Sequence, residues 1–207
     1  MGVLQALAPA DLRRIVSTYR DALRSHQDEL NRLNVYPVPD ADTGTNMALT
    51  LESVVSELPA DGSGMDAVCE AIKHGPLMGA RGNSGVILSQ ILRGMADTSA
   101  PLETVSGADL VAGLRRGADA AYQAVLRPVE GTILTVVRAG AGAGERGFGL
   151  GEATLSEVLE HAAEAARAAV ASTPDLLPVL RDAGVVGAGG RGVGLLVARG
   201  LNVVGRG

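Results

Sequence analysis

Residues 34–47 read Asn34-Val35-Tyr36-Pro37-Val38-Pro39-Asp40-Ala41-Asp42-Thr43-Gly44-Thr45-Asn46-Met47. The two prolines hold the approach extended, because each fixes its own φ and disfavours helix at the residue before it. The carboxylates of Asp40 and Asp42 follow two positions apart, and an apolar helix is predicted from Thr45 to about Leu58. The stretch therefore predicts a polar loop that ends at the N-terminus of a helix.

This loop has the chemistry of a magnesium–phosphate site. A helix N-terminus attracts anions, because its first N–H groups are free and its dipole is positive there. Carboxylates beside a phosphate would repel it unless a hard cation lay between them, and Mg²⁺ suits that position. The alternative is that Asp42 and its neighbours only cap the helix. An EF-hand is excluded, because Thr45 and Leu51 stand where that loop needs glycine and an acid.

A second polar stretch, Gly79-Ala80-Arg81-Gly82-Asn83-Ser84-Gly85, interrupts two helical patterns. Glycines at three-residue spacing let the backbone approach a ligand or a neighbouring helix closely. Asn83 and Ser84 can cap the following helix or donate hydrogen bonds to phosphate oxygens. From the residue types alone, close helix packing and phosphate binding both remain open.

The remaining chain shows mostly helical periodicity. The spacings Ser106 to Asp109 and Thr154 to Glu157 are those of capping boxes, which open helices. About eight helices and no convincing strand predict an all-α fold of antiparallel amphipathic helices. The predicted helices other than that of residues 45–58 cover residues 9–31, 65–78, 86–96, 106–126, 154–171 and 173–183. One more starts at residues 130–132, and a last one follows the glycine-rich residues 187–192 and ends near Val204.

Two further segments carry expectations about loops. Residues 140–151 are rich in glycine and contain Phe148, so we expect an exposed mobile loop, with a flap over a nucleotide as the alternative. The run Thr173-Pro174-Asp175 predicts an N-cap followed by proline at the first helical position. The G-x-G-x-x-G spellings at 142–147 and 187–192 lack the βαβ context of a dinucleotide site, and no Gly-Lys-Ser/Thr of a Walker P-loop occurs.

Composition excludes several classes of protein. With 207 residues and 46% hydrophobic content, the chain can form one globular domain with a full core. A net charge of −5, no basic run and 2% aromatic residues argue against nucleic-acid binding. Cys69 is the only cysteine, so no intrachain disulfide can form and a reducing cytoplasm is expected. No apolar run approaches the ~18 residues of a membrane span, so membrane insertion is not expected.

Three motifs resemble those of the nucleotide-binding (DhaL-type) domain of the dihydroxyacetone kinase family. The resemblance covers nearly the whole chain and is closest to the domain at the N-terminus of the bacterial fatty acid kinase catalytic subunit. It implies that residues 1–207 form a single domain, a closed helical barrel with the nucleotide at one end. Periodicity alone does not predict that closure. The motifs are residues 37–47, residues 77–90 and Glu130-Gly131-Thr132-Ile133-Leu134, and the Gly-rich segment near the C-terminus also matches.

The resemblance also implies Mg²⁺ and ATP or ADP as cofactors. We assign Asp40 and Asp42 to the metal, with Asn34 as a third ligand, and no catalytic residue is assigned. The residues expected around the phosphates are Gly44, Thr45, Asn46, Met47, Gly82, Asn83, Ser84 and Gly85, and those expected at the nucleoside are Thr132, Gly189 and Gly190.

The expected function is phosphoryl donation from Mg-ATP in a kinase, to a fatty acid carboxylate held by a separate fatty-acid-binding protein. A carboxylate acceptor is already anionic at neutral pH, so it needs no general base. The alternatives are the nucleotide subunit of a dihydroxyacetone (glycerone) kinase, which works with a substrate subunit, and a non-catalytic nucleotide-binding interaction module. A homodimer is a further expected assembly.

The chain departs from the family pattern in three respects. Further domains follow the nucleotide domain in fatty acid kinases, and they are absent after Gly207, so we expect a fragment or a stand-alone domain that needs missing parts or a partner for turnover. Ala41 stands where the family usually has glycine, which matters if φ is positive there. Gly187 stands where the family usually has aspartate, which removes a polar contact near the nucleoside.

Overall fold

The computed structural model describes residues 4–148 and 154–205. These residues form ten helices and no strand, apart from an isolated antiparallel bridge between Leu7 and Val105. The helices are α1 (Pro9–Ser25), α2 (Gln27–Arg32), α3 (Thr43–Glu57), α4 (Met65–Gly79), α5 (Gly82–Ser99), α6 (Gly107–Gln123), α7 (Ile133–Phe148), α8 (Leu155–Leu176), α9 (Pro178–Asp182) and α10 (Ala188–Val204). The all-α prediction is confirmed.

Eight of these helices close into a ring. Each helix from α3 to α8 packs against the next, α10 packs on α8, and α1 packs on both α10 and α3. The two short helices lie outside this order, with α2 against α3 and α10, and α9 against α8. The closed barrel implied by the family resemblance is therefore present.

The interior of the ring is aliphatic, as the scarcity of aromatic residues requires. Leucine, valine, isoleucine and alanine make up most of the core, and Cys69 is fully buried among them. Tyr19 is also fully buried, and its hydroxyl donates to the carbonyl oxygen of Gly192 at 3.1 Å. Burial raises the pKa of the Tyr19 phenol far above its ordinary value. The hydroxyl therefore stays protonated and joins α1 to α10 at every physiological pH.

Both predicted capping boxes are present. The amide of Ser106 donates to Asp109 Oδ2 at 3.0 Å, and the amide of Asp109 donates back to Ser106 Oγ at 3.3 Å. Thr154 and Glu157 make the equivalent pair at 2.8 and 3.3 Å. These local signals fix where α6 and α8 begin, because each satisfies N–H groups that a helix start leaves free.

The expectation of a loop over residues 140–151 is wrong as far as Phe148, because α7 continues to that residue. The glycines serve helix packing. A Cβ on Gly140 would lie 3.5 Å from the carbonyl oxygen of Ala162, and one on Gly144 would lie 3.5 Å from Val158 Cγ1. Their missing side chains let α7 approach α8 closely. Residues 149–151 lie outside the described part of the chain.

The helix start predicted at Thr173-Pro174-Asp175 is also wrong, because α8 runs through Pro174 to Leu176. Proline cannot donate to the carbonyl of Val170, four residues earlier. The hydroxyl of Thr173 donates to that carbonyl at 2.7 Å instead, and it also accepts from the amide of Gly187 at 2.9 Å. The following short helix begins at Pro178.

Two other helix boundaries differ from the prediction. The helix predicted over residues 9–31 is divided at His26, which ends α1 and precedes α2. The helix predicted from Val86 begins four residues earlier, at Gly82. The second difference places residues 82–85 inside the first turn of α5, which bears directly on the candidate site.

No helix in residues 4–148 or 154–205 combines the length and the apolar character needed to span a membrane.

Candidate functional site at one end of the helical ring

The N-termini of four helices meet at one end of the ring. Gly82, at the start of α5, lies against the side-chain amide of Asn46 in the first turn of α3. Gly189, at the start of α10, lies against Ile133 at the start of α7, and α10 also contacts α3. The fold therefore brings together the motifs that the sequence places at 34–47, 79–85, 130–134 and 187–192.

The loop before α3 is held by Asn34, which is buried. Its Oδ1 accepts from the amide of Asp42 at 3.3 Å and from the amide and hydroxyl of Thr43 at 3.0 and 2.6 Å. Its Nδ2 donates to the carbonyl of Val38 at 2.7 Å. Oδ1 and Nδ2 of Asn34 thus both make hydrogen bonds within the loop and the helix start, and metal ligation by Asn34 stays a prediction.

Asn31 of α2 binds the first turn of α3 from the other side. Its Oδ1 accepts from the amide of Thr45 at 3.1 Å, and its Nδ2 donates to Thr45 Oγ1 at 3.0 Å. Gln27 donates to the same hydroxyl at 3.2 Å. Sequence analysis missed these two amides. Their i, i+4 spacing on one helix was the only available signal, and it does not name the partner.

The first turn of α3 therefore has little free capacity for an anion. Its first three N–H groups belong to Thr43, Gly44 and Thr45, and two of them donate to the asparagine side chains described above. Among the described residues, only the amide of Gly44 in this turn lacks a partner. Contact of Gly44, Thr45 and Asn46 with phosphate stays a prediction.

The first turn of α5 is free. The earliest backbone hydrogen bond at this end runs from the amide of Gly85 to the carbonyl of Arg81, at 3.1 Å. The three preceding amides, of Gly82, Asn83 and Ser84, donate to no described residue, and the side chains of Asn83 and Ser84 likewise make no hydrogen bond within the described chain. Free amides and polar side chains at the positive end of an 18-residue helix make this turn a candidate anion site.

The polar groups facing this turn are also unpaired. Asp42 occupies the N-cap position of α3, but its carboxylate accepts no capping hydrogen bond. Neither Asp40, which is exposed, nor Asp42, which is half-buried, forms an ion pair with a described residue. Asn46 is only 8% exposed, yet its side-chain amide has no partner in the described structure. These free polar groups are available to a ligand at this end of the ring.

The two carboxylates fit a hard cation better than a zinc ion. Within residues 4–148 and 154–205, no three histidine, cysteine, aspartate or glutamate residues are grouped closely enough to hold a metal alone. Zinc sites in proteins usually take three or four such ligands, whereas Mg²⁺ takes one or two carboxylates and completes its shell with phosphate oxygens and water. The two carboxylates of Asp40 and Asp42, in the loop before α3, fit the second pattern.

Ala41, between the two acids, has a φ of 54°. The left-handed region favours glycine and costs an L-residue about 1–2 kcal/mol. The backbone at this position therefore favours glycine, the residue that the family usually has there.

We expect Ala41→Gly to raise the free energy of unfolding by up to about 1 kcal/mol. Relief of the left-handed strain outweighs the ~0.4–1 kcal/mol by which glycine favours the unfolded chain. Chemical denaturation would measure the change. Ala60→Gly is the matched control, because Ala60 is an exposed loop residue without a positive φ, and there only the unfavourable term acts. Equal destabilisation in both variants would contradict the strain.

Several of the predicted site residues have structural roles. Met47 is fully buried and contacts Gly192, and a Cβ on Gly85 would lie 2.5 Å from the hydroxyl of Thr50. Gly44 similarly allows the close approach of α2, and Gly189 and Gly190 allow that of α7. A Cβ on Gly187 would lie 3.1 Å from the carbonyl oxygen of Gly131. Contact of these residues with a ligand stays a prediction, and only their backbone atoms are available for it.

Thr132 and Glu130 order the turn that precedes α7. Thr132 Oγ1 donates to the carbonyl of Val129 at 2.7 Å and accepts from the amide of Leu134 at 3.3 Å, so it caps the helix. Glu130 accepts from the hydroxyls of Tyr122 and Thr135 at 3.0 and 2.6 Å. This turn contacts the start of α10, so its order sets the edge of the site.

The charge of Glu130 is stabilised by its neighbours. Burial raises the pKa of its carboxyl, but the hydrogen bonds from Thr135 and Tyr122 and the Arg138 guanidinium at 2.7 Å outweigh that effect and lower it. The guanidinium also stacks 4.8 Å from the centroid of the Tyr122 ring. Burial, together with the bond to Glu130, raises the pKa of Tyr122 to about 12.

We expect the interactions of Glu130 to make the free energy of unfolding fall as the pH is lowered. Because the folded pKa of Glu130 is lowered, its contribution is present above the ordinary glutamate pKa of about 4.3 and is lost as pH falls through the folded value. Glu130→Gln should lower the free energy of unfolding at pH 7 by at most about 1 kcal/mol, since solvent screens the partly exposed carboxylate. The difference from wild type should vanish in acid. Denaturation at pH 7 and below pH 4 would measure it, and a difference independent of pH would contradict this account.

Comparisons with known proteins identify relatives of this chain in sequence and in fold. A family model described as the DAK2 domain matches residues 37–201. An uncharacterized protein of Staphylococcus saprophyticus is 42% identical over 180 residues, covering 85% of this chain and 32% of the relative. Protein YloV of Bacillus subtilis is 42% identical over 174 residues, covering 83% of this chain and 31% of the relative. The chain thus spans about a third of the length of these curated relatives.

One solved structure has a similar fold. It is the dihydroxyacetone kinase of C. freundii, in complex with AMP-PNP and Mg²⁺. The match has a TM-score of 0.66 at 18% sequence identity and covers 96% of this chain and 35% of that one. The likeness extends over nearly the whole helical ring, so the architecture described above is one that known proteins also adopt.

Proposed function

The chain belongs to the DAK2 domain family, and on that premise we propose that it is the Mg-ATP-binding, phosphoryl-donating domain of a kinase. The observation that carries the proposal is the free N-terminus of α5 beside unpaired polar groups. Three free amides lie at this helix start, the unpaired side-chain amide of Asn46 lies against Gly82, and the carboxylates of Asp40 and Asp42 in the loop before α3 pair with no described residue. A magnesium–phosphate ligand would satisfy all of them together.

The residues take distinct roles in this proposal. Asp40 and Asp42 hold Mg²⁺. The amides of residues 82–84, with the side chains of Asn83, Ser84 and Asn46, hold the phosphates. We assign Asn34 to bracing the loop instead of ligating the metal, because its Oδ1 and Nδ2 both make hydrogen bonds within the loop and the helix start. The turn at Thr132 and the start of α10 border the nucleoside.

Catalysis in this site consists of positioning and charge stabilisation. Asp40 and Asp42 would hold Mg²⁺, which would offset the negative charge of the phosphates during transfer. The α5 amides fix the donor phosphates without having to reorganise, because the helix already orients them. Asn34 and Asn31 hold the loop before α3 and the first turn of α3 in place, which would let the carboxylates and the α5 amides bind one ligand.

The acceptor that suits this site best is a carboxylate. Asp40 and Asp42 are both assigned to the metal in this proposal. A hydroxyl acceptor would need a general base, and the other acids at this end of the ring, Glu29 and Glu130, are paired with Arg191 and Arg138. We therefore favour a fatty acid presented by a separate fatty-acid-binding protein, with the cytoplasm as the compartment.

Two other functions have specific support. The similarity to a dihydroxyacetone kinase favours a nucleotide subunit that phosphorylates dihydroxyacetone with a substrate subunit. The chain's coverage of only a third of its relatives favours a nucleotide-binding module whose turnover depends on other parts of a longer protein. Adding dihydroxyacetone with a substrate subunit, or a fatty acid with its binding protein, and measuring ADP release would discriminate between the acceptors.

Calorimetric titration of ATP into this chain, with Mg²⁺ and with a chelator, tests the donor role. The expected result is binding that depends on Mg²⁺ and shows a stoichiometry of one. Binding of equal strength in chelator would contradict the metal assignment, and no binding in either condition would refute the donor role.

A further inference from the structure

Arg81 directly precedes the free amides of α5 and forms no ion pair with a described residue. It is the N-cap residue of α5, with extended backbone angles of −127° and 139°, and its side chain is exposed. Two other arginines at this end are engaged, since Arg138 pairs with Glu130 at 2.7 Å and Arg191 pairs with Glu29 at 3.2 Å.

The position of Arg81 is fixed by its neighbours, although its side chain is not. Its carbonyl accepts the first backbone hydrogen bond of α5, from Gly85 at 3.1 Å. The next residue, Gly82, lies against the side-chain amide of Asn46. The backbone N–H of Asn46 donates to the carbonyl of Asp42 at 2.8 Å. Arg81 therefore directly precedes the free amides of α5 in the chain. Through Gly82 and Asn46 it is connected to Asp42 in the loop before α3.

The charge balance of the proposed site favours a further positive charge beside the phosphates. Mg²⁺ and the carboxylates of Asp40 and Asp42 carry no net charge together. The donor phosphates then keep their negative charge, which helix amides offset only in part. Transfer spreads further charge over the equatorial oxygens of the moving group. Arginine is the side chain best suited to bind such oxygens, because its planar fork donates several hydrogen bonds at once.

We propose that Arg81 is a catalytic residue that binds the transferring phosphoryl group and stabilises its transition state. The acceptor oxygen forms a bond to the γ-phosphorus, and the bond from that phosphorus to the β,γ-bridging oxygen breaks, so ADP leaves with the electron pair. Arg81 stays protonated throughout and exchanges no proton. This inference rests on the proposed donor function.

The test compares a ground-state ligand with a transition-state mimic in this chain. Calorimetry would measure the affinities of Mg-ATP and of Mg-ADP with aluminium fluoride for wild type, Arg81→Lys and Arg81→Met. We expect Arg81→Met to weaken binding of the mimic by about tenfold or more, with ATP affinity changed less than about threefold, because the contact forms in the transition state. Arg81→Lys should be intermediate, since it keeps the charge but not the fork.

Arg127→Met is the matched control, because Arg127 is an exposed arginine in the loop after α6 that pairs with no described carboxylate. It should leave both affinities unchanged. Equal loss of ATP and mimic in Arg81→Met, or no loss of either, would refute the catalytic role while leaving the donor site in place. Failure of the wild type to bind Mg-ATP would instead refute the donor function, and the role of Arg81 with it.

Discussion

Replacing both Asp40 and Asp42 with asparagine is expected to abolish magnesium-dependent ATP binding. The affinity should fall by about 100-fold or more, equivalent to ~2.7 kcal/mol, because the neutral amides cannot offset the charge of the cation. The fold should survive. Neither carboxylate accepts a capping hydrogen bond or pairs with a described residue, so the isosteric change removes no intramolecular contact. Calorimetry with Mg²⁺ would measure the affinity, and denaturation would measure the stability.

The matched control is Asp28→Asn, because Asp28 is an exposed aspartate on α2 that forms no ion pair with a described residue. It should bind Mg-ATP like the wild type. If the double variant bound Mg-ATP normally, the two acids would not be metal ligands. If it lost several kcal/mol of stability along with binding, the acids would have a structural role that their geometry does not show.

Gly82→Ala is expected to weaken ATP binding by about tenfold or more, the second large effect, through both strain and overlap. Gly82 has a φ of 61°, and an added Cβ would overlap the side-chain nitrogen of Asn46. The methyl group must displace either the Asn46 amide or the first turn of α5, and both are proposed to bind the phosphates. Stability should fall by about 1–3 kcal/mol, of which the positive φ accounts for ~1–2 kcal/mol.

Gly62→Ala separates these two causes. Gly62 has a φ of 88°, and nothing lies within 4 Å of an added Cβ. The Gly62→Ala variant therefore introduces backbone strain without a steric overlap. It should be less stable than the wild type and should keep its affinity for ATP. Similar affinities for Gly82→Ala and wild type would show that the approach of Gly82 to Asn46 has no part in binding. A loss of affinity in Gly62→Ala would mean that stability, not the site, controls the measurement.

The sequence predicted the helix starts well where they depend on hydrogen bonds between residues close together in the chain. Ser106 with Asp109, and Thr154 with Glu157, each satisfy a helix start within four residues, so spacing alone identifies them. The errors came where tertiary packing reverses a local preference. Gly140 and Gly144 indicate a loop by composition, but their contacts with α8 make them helix-packing positions. Pro174 indicates a helix start, but the Thr173 hydroxyl replaces its missing donor.

The candidate site was predictable as a set of motifs, but the division of roles within it was not. The sequence places free N–H groups at the start of both α3 and α5. Only the structure shows that Asn34 and Asn31 occupy those of α3 and leave those of α5 open. Asn31 lies 14 residues from Thr45 along the chain, on a separate helix. No spacing rule connects two such residues, because their contact depends on how the helices pack.

The closure of the ring by α10 on α1 also has a consequence for the order of folding. The hydrogen bond from Tyr19 to Gly192 joins residues 173 positions apart. Closing a loop of that length costs about 2 kcal/mol more entropy than closing a connection of ~15 residues between neighbouring helices. During synthesis on the ribosome, α3 and α5 can therefore pack side by side well before the ring is complete. The nascent chain would present its aliphatic interior through an open seam until α10 emerges, and α10 fills that seam between α8 and α1.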